Sequence, residues 1–229
     1  ADLATAHIDT ARLIEIALTC ALRADQNGTT IAPIGQRITV ECDMAFAFAY
    51  PHMLEVWREA GADLRFFSPL EDQAPDETCD AVFLPGGYPE LHAPRLSGNA
   101  CFMQGLRDAA ARGANVYGEC GGYMVLGQGL VDADGKRHAM AGLLPLETSF
   151  AARQRHLGYR EIVAEADSPL GARGARFRGH EFHFSQVVSE DGAMPLFRAR
   201  AVDDDALQPT GCRAGCVMGS FLHLIDRAP

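Results

Sequence analysis

Asn115-Val-Tyr-Gly-Glu-Cys-Gly-Gly-Tyr-Met124 decides how this chain is read. Asn115–Tyr117 is a short β-prone run that leads directly into a helical pattern near 121–129. Cys120 sits at the junction, with Gly118 and Gly122 on either side. G-x-C-x-G is the thiol counterpart of the G-x-S-x-G nucleophile elbow. A nucleophile on so sharp a turn takes unusual backbone angles, and small residues two places before and after it keep strand and helix from colliding. The turn sets the thiol at a helix N-terminus, whose dipole lowers a thiol pKa and favours thiolate. The N–H of Gly121 would point to where a tetrahedral oxyanion forms. A buried structural cysteine in a glycine-rich turn would carry the same letters, so the reading needs support from the rest of the chain.

Outward from the elbow, strands alternate with helices. Arg37–Cys42, Leu64–Phe67 and Ala81–Leu84 read as strands; Tyr50–Ala60 reads as a helix stopped by Gly61, and 97–112 as a single helix stopped by Gly113. Such alternation implies right-handed crossovers and a parallel sheet covered on both faces. Beyond Val131 the rhythm changes. His156–Ala164, Ala175–Ser185, Pro195–Ala201 and Gly215–Leu222 favour strands separated by turns, an antiparallel extension of the sheet. At the other end, Asp9–Leu22 has the pattern of an amphipathic helix with Asp9 as N-cap. The polar stretch 24–35, with two Gly and one Pro, reads as a linker.

Two further features bear on chemistry. Leu84-Pro-Gly-Gly-Tyr-Pro-Glu90 follows the third strand, and its glycines let a ligand approach main-chain N–H groups at the carboxyl end of a parallel sheet. Gly87 is therefore a candidate second oxyanion donor beside Gly121, although Pro-Gly-Gly is also common loop punctuation. A thiol nucleophile also needs a base. Of eight histidines, His180 and His183 lie in Gly179-His-Glu-Phe-His-Phe-Ser185, and His223 lies in Gly219-Ser-Phe-Leu-His-Leu-Ile-Asp226. On a strand the first two point to opposite faces, and no Cys or carboxylate triplet accompanies them, so no metal site is expected. His223 follows an apolar run and precedes a turn, where a strand or loop delivers a side chain to a site. His7, His52, His92, His138 and His156 have no motif around them.

Composition sets the outer limits. The 229 residues carry 20 Lys+Arg against 30 Asp+Glu, a net charge of −10, with no dense basic cluster to hold nucleic acid or an anionic membrane. No apolar run reaches the roughly 18–20 residues that span a bilayer. The chain opens Ala-Asp-Leu, without the basic and apolar regions of a signal peptide, and reads as a piece of a longer protein. Seven cysteines, an odd number thinly spread, point to free thiols in a reducing cytoplasm; the close pair Cys212 and Cys216 lacks the partners of a zinc site.

Taken together, RITVECDMAFAFAYP at 37–51, FFSPL at 66–70, DAVFLPGGYPELHA at 80–93, GECGGYMVLG at 118–127, RGHEFHFS at 178–185 and GSFLHLIDR at 219–227 resemble one family. It is the glutamine amidotransferase domain of cobyrinic or hydrogenobyrinic acid a,c-diamide synthase, from corrinoid biosynthesis. The resemblance implies an α/β fold: a flavodoxin-like, open, mostly parallel sheet flanked by helices, with antiparallel strands toward the C-terminus. It implies that residues 36–229 form a class I glutaminase domain, that 24–35 link it to what precedes, and that 1–23 are the end of an ATP-dependent ligase domain of the dethiobiotin-synthetase-like type. It further implies Cys120 as nucleophile, His223 as its base, and Gly87 and Gly121 as oxyanion donors. L-glutamine would be the substrate here, and the corrin acid would be met through the ligase domain; a homodimer is left open. No cofactor is expected in this chain, because it lacks G-x-x-x-x-G-K-[ST]; Mg-ATP would belong to the upstream domain. Many class I enzymes carry His-x-Glu, but the residue two beyond His223 is Ile225, which leaves Glu181 or Asp226 to orient the ring, or no acid at all. Cobyric acid synthase, a cell-wall isoglutaminyl synthase, a cysteine hydrolase or redox sensor of similar fold, and a catalytically silent domain that only holds a ligand on these loops are the competing readings.

Overall fold

The computed structural model describes residues 7–17 and 30–229. Four strands precede the elbow helix: β1 (Arg37–Glu41), β2 (Asp63–Phe67), β3 (Ala81–Leu84) and β4 (Asn115–Glu119). The later strands are β5 (Gly129–Val131), β6 (Arg137–Ala139), β7 (Glu147–Ser149), β8 (His156–Ala164), β9 (Arg176–His183), β10 (Gln186–Ser189), β11 (Met194–Ala201), β12 (Gln208–Ala214), β13 (Val217–Ser220) and β14 (Leu222–Arg227). The main sheet runs β14-β9-β8-β11-β12-β13-β4-β3-β1-β2. Its portion β2-β1-β3-β4-β13 is parallel throughout, which is the flavodoxin-like order 2-1-3-4-5. From β13 outward every pairing is antiparallel. The expected mixed α/β architecture is therefore what the chain adopts.

The inner parallel strands β3, β4 and β13 are buried on both faces, as such strands must be when helices cover each side, whereas β2 at the edge is largely exposed. Alternate residues of β3 enter different layers: Val82 and Leu84 join the core beneath Phe102, Leu106 and Met124, while Ala81 and Phe83 join the one around Trp57, Tyr117 and Phe177. The helices are α1 (Thr10–Ile16), α2 (Pro51–Glu59), α3 (Ala93–Gly98), α4 (Ala100–Ala111) and α5 (Gly121–Leu126). α2 starts on Pro51, whose missing N–H costs nothing there, and buries Met53, Leu54 and Trp57. Asp9 caps α1 as expected, with its side chain accepting from Arg12 N–H; the remainder of the predicted 9–22 helix lies outside the described residues. Ile31 and Ile34, from the stretch read as linker, are buried, and Trp57 donates its ring N–H to Ile31 O. No helix among the described residues is long and apolar enough to cross a membrane.

Three departures from the sequence reading have local causes. The predicted 97–112 helix is two helices, broken where Asn99 turns out of helical geometry and its amide reaches Pro69 O at 2.6 Å. The predicted strand 215–222 is likewise two, because the chain leaves β13 at Phe221 and starts β14, which pairs at the far edge of the sheet with β9. A separate sheet, β10-β7-β5-β6, was not expected; strands of three or four residues are too short to show a period.

The elbow helix lies so close to β3 that a Cβ on Gly122 would stand 2.1 Å from Leu84 O. Gly122→Ala is expected to cost about 1–3 kcal/mol through forced separation of helix and strand. Urea unfolding checks this by a lowered midpoint at unchanged slope. Gly98→Ala, where a Cβ meets nothing within 4 Å, should leave the midpoint unchanged or raise it.

Candidate active site

Cys120 holds the geometry that the elbow requires. Its φ of 47° and ψ of −99° lie outside the comfortable regions for an L-residue, and only Asp72 joins it in positive φ among the described non-glycine residues. The strained residue is pinned on both sides: its N–H donates to Ser220 O at 2.8 Å and its carbonyl accepts from Met124 N–H at 3.1 Å. Gly118 is needed for close approach, since a Cβ there would stand 2.8 Å from the backbone of Gly122 and Tyr123.

The second donor loop meets the elbow at the topological switch point, between β1 and β3. The loops after these strands are bound together by Phe48 N–H to Gly86 O and Tyr88 N–H to Ala45 O, both 2.9 Å. A Cβ on Gly87 would lie 1.9 Å from Ala45 O, so this crossing admits only glycine. The N–H groups of Gly121 and Gly87 both hydrogen-bond toward the Cys120 sulfur and hold its pKa down. Burial, followed by the charges of Glu90 and Glu119, outweighs them and pushes the thiol up to about 12. The expected thiolate-favouring shift is thus corrected: the helix end is present, but the sulfur is too dry to profit from it. One oxygen of Glu90 is buried without a hydrogen-bond partner, and this residue lines the narrow cleft over Cys120 with Gly87, Met124, Phe182, His183 and Phe184.

His223 reaches the same place through the chain path. Ser220 O holds the Cys120 N–H, and the three residues that follow keep the His223 Cα within roughly 11 Å of the Ser220 Cα. The imidazole is buried and stands over Gly86, where a Cβ would meet its Cε1 at 2.3 Å. It lines a cavity of about 520 Å³ with Tyr50, Tyr88, His180 and Phe182. Phe48, Tyr88 and Phe182 also wall the cleft over Cys120, so the two spaces adjoin. Burial first, then the neighbouring His180 and His183, push the His223 pKa down to about 3, which leaves a neutral ring with a free lone pair at neutral pH.

The other histidines divide. His180 stacks on His223 with ring centroids 4.7 Å apart and is hydrogen-bonded by Tyr50. His183 instead stacks on Phe221 and His156, with Nε2 2.9 Å from Glu181 and Nδ1 3.0 Å from Ser185 O. His156, Glu181 and His183 place ligand atoms within 4.8 Å of one another. Arg160 already donates twice to Glu181 Oε2, at 2.7 and 3.0 Å, while Oε1 meets His183. Glu181 is thereby engaged, and Asp226 is held in a fork by Arg178. The carboxylate that meets His223 is Glu119, with Oε2 3.7 Å from Nδ1. Sequence reading passed over it, although a carboxylate on a strand buried on both faces, next to the nucleophile, was the available signal.

Comparison with known proteins identifies the family. Residues 37–228 match the family described as the CobB/CobQ-like glutamine amidotransferase domain. A hydrogenobyrinate a,c-diamide synthase from Sinorhizobium sp. is 54% identical over 202 residues, 86% of this chain and 45% of that protein. One from Brucella suis is 52% identical over 229 residues, 99% of this chain and 51% of that protein. The chain therefore spans about half the length of the curated relatives it matches. Among solved structures, a glutamine amidotransferase from Thermotoga maritima superposes with a TM-score of 0.52 at 16% identity, covering 82% of this chain and 75% of that one; it speaks for the fold alone.

Because the Cys120 thiol is raised to about 12, it is uncharged at neutral pH, whereas Cys42 and Cys101 are exposed. Iodoacetamide near pH 7.5 should therefore modify Cys42 and Cys101 before Cys120, as peptide mapping over time would show. Faster labelling of Cys120 would mean that the thiolate is preformed.

Proposed function

Because the chain belongs to the CobB/CobQ-like glutamine amidotransferase domain family, we propose that it is the glutaminase part of a hydrogenobyrinate a,c-diamide synthase. The observation that carries the mechanism is the strained Cys120, with the N–H groups of Gly87 and Gly121 turned on its sulfur and the His223-bearing strand starting beside it. Sγ attacks the side-chain amide carbon of L-glutamine; the S–C bond forms and the carbonyl pair becomes an oxyanion held by Gly87 and Gly121. The thiol proton passes to neutral His223, which gives it to the leaving nitrogen as the C–N bond breaks, and ammonia departs. Water, deprotonated by the same ring, then hydrolyses the glutamyl thioester. A thiol uncharged at rest suits this scheme, since proton transfer and attack are then coupled to substrate.

Ammonia would pass to a ligase domain that amidates the a and c acetate groups of the corrin acid after activation by ATP. Residues 1–23 are read as the end of that domain, 24–35 as a linker and 36–229 as the glutaminase domain. This chain lacks the P-loop pattern, so on this reading Mg-ATP would be held by the preceding ligase domain, and no step here runs through it. The reaction is read as cytoplasmic, where ATP and glutamine are both available.

In the intact enzyme, Cys120→Ala is expected to lower glutamine-dependent amidation by at least about 10³-fold while ammonia-dependent amidation stays at the wild-type rate. His223→Ala should do the same. Assays with each nitrogen source check both, and equal loss of the two activities would contradict the assignment. Should His180→Ala rather than His223→Ala remove the glutamine-dependent rate, the base is His180.

A further inference from the structure

Glu119 ends β4, between Gly118 and Cys120, and its side chain is fully buried. One carboxylate oxygen is committed: Oε1 accepts from Tyr117 O–H at 2.9 Å and from Leu224 N–H at 3.1 Å. Oε2 is buried without a hydrogen-bond partner and faces His223 Nδ1. Tyr117 and Glu119 stand two residues apart on one face of β4, so the phenol braces the carboxylate from its own strand. Leu224 braces it from the strand that carries His223, so the backbone of β14 and the imidazole it bears both converge on one acid. A buried carboxylate oxygen without a donor is costly unless something supplies one. The ring nitrogen that faces it, at 3.7 Å, is Nδ1 of His223.

We propose that Glu119 is the positioning residue for His223. Its Oε2 accepts the Nδ1–H of the neutral imidazole, which fixes the tautomer whose Nε2 lone pair takes the thiol proton. This rests on the Cys120–His223 glutaminase reading. The separation of 3.7 Å is long for a hydrogen bond, as such contacts often are before substrate binds and closes them. The arrangement reproduces a triad in which the acid comes from the nucleophile's own strand, one residue before it, rather than from two residues beyond the base.

The acid must be ionised to accept. Burial raises its pKa, against the lowering effects of Leu224 N–H and Tyr117 O–H, to about 7. The titratable groups facing it are Tyr117 on its own strand, Cys120 next to it, Tyr50 at the start of α2 and His223 on β14, with His180 of β9 stacked behind the ring. Of these, His223 falls to about 3 and Cys120 rises to about 12, so neither produces a transition near neutrality. Below its own pKa Glu119 carries a proton and can no longer accept from Nδ1–H. The glutaminase kcat/KM is therefore expected to fall as pH drops through about 7.

Glu119→Gln in the intact enzyme tests this. The Gln carbonyl keeps the bonds from Tyr117 and Leu224, while its amide N–H₂ turns toward Nδ1 and imposes the opposite tautomer. Expected are a loss of about 10²–10⁴-fold in glutamine hydrolysis, an unchanged ammonia-dependent rate, and disappearance of the acid limb near pH 7. In the wild type, ¹⁵N NMR of His223 should show the proton on Nδ1, and this measurement decides the matter if the variant fails to fold. A variant rate within about threefold of wild type, a persisting limb, or a wild-type proton on Nε2 overturns the proposal. An active Glu119→Gln beside an inactive Cys120→Ala would remove only the role of Glu119; an active Cys120→Ala would remove the glutaminase reading itself.

Discussion

The backbone of Cys120 cannot relax. A positive φ on a side-chain-bearing residue costs on the order of 1–3 kcal/mol, and such a conformation persists only where its surroundings over-determine it. Here they do so from three directions. The parallel register of β13 on β4 brings Ser220 O to the Cys120 N–H; α5 begins at once behind it; and β3, with the glycine loop that follows, presses against the helix so closely that Gly118, Gly121 and Gly122 leave no room for a Cβ. The same register determines where β14 starts, and so where His223 falls. Sulfur, backbone donors and imidazole are consequences of one junction.

The site is also dry, and dryness sets its charge state. Burial raises the Cys120 thiol and Glu119 and lowers His223, each toward its uncharged form. A resting centre of this kind has little reactivity to lose to water or to generic electrophiles. Sulfur and imidazole become charged only when substrate draws a proton from one to the other, where fixed N–H dipoles await the oxyanion and the ionised Glu119 stands beside the incipient imidazolium. Phe48, Tyr88 and Phe182 wall both the cleft at the sulfur and the larger cavity at the imidazole, so these side chains govern how a glutamine side chain would come between the two groups.

Much of the architecture was legible in the sequence because periodicity and punctuation agreed there. β3 was read with its observed ends, α2 stopped at Gly61, and the elbow showed itself by two glycines around a cysteine. What was missed depends on long-range contacts. Asn99 breaks a helix because Pro69, thirty residues earlier, offers a carbonyl. Phe221 separates two strands because their partners lie on different parts of the sheet. The thiol's electrostatics were misjudged for a similar reason: a helix N-terminus is visible in a motif, whereas the burial that overrides it belongs to the whole fold. Glu119 was written inside the decisive motif, yet its bearing on His223 depends on β14 returning alongside it 104 residues later.

The most direct test of the account is to incubate the intact enzyme with glutamine, quench in acid and map covalent adducts by mass spectrometry. The account predicts a glutamyl adduct on the peptide containing Cys120, lost on treatment with hydroxylamine as a thioester must be. A glutamyl group on another residue, or glutamine turnover without any acyl-enzyme detectable even in a variant slowed at His223, would contradict it.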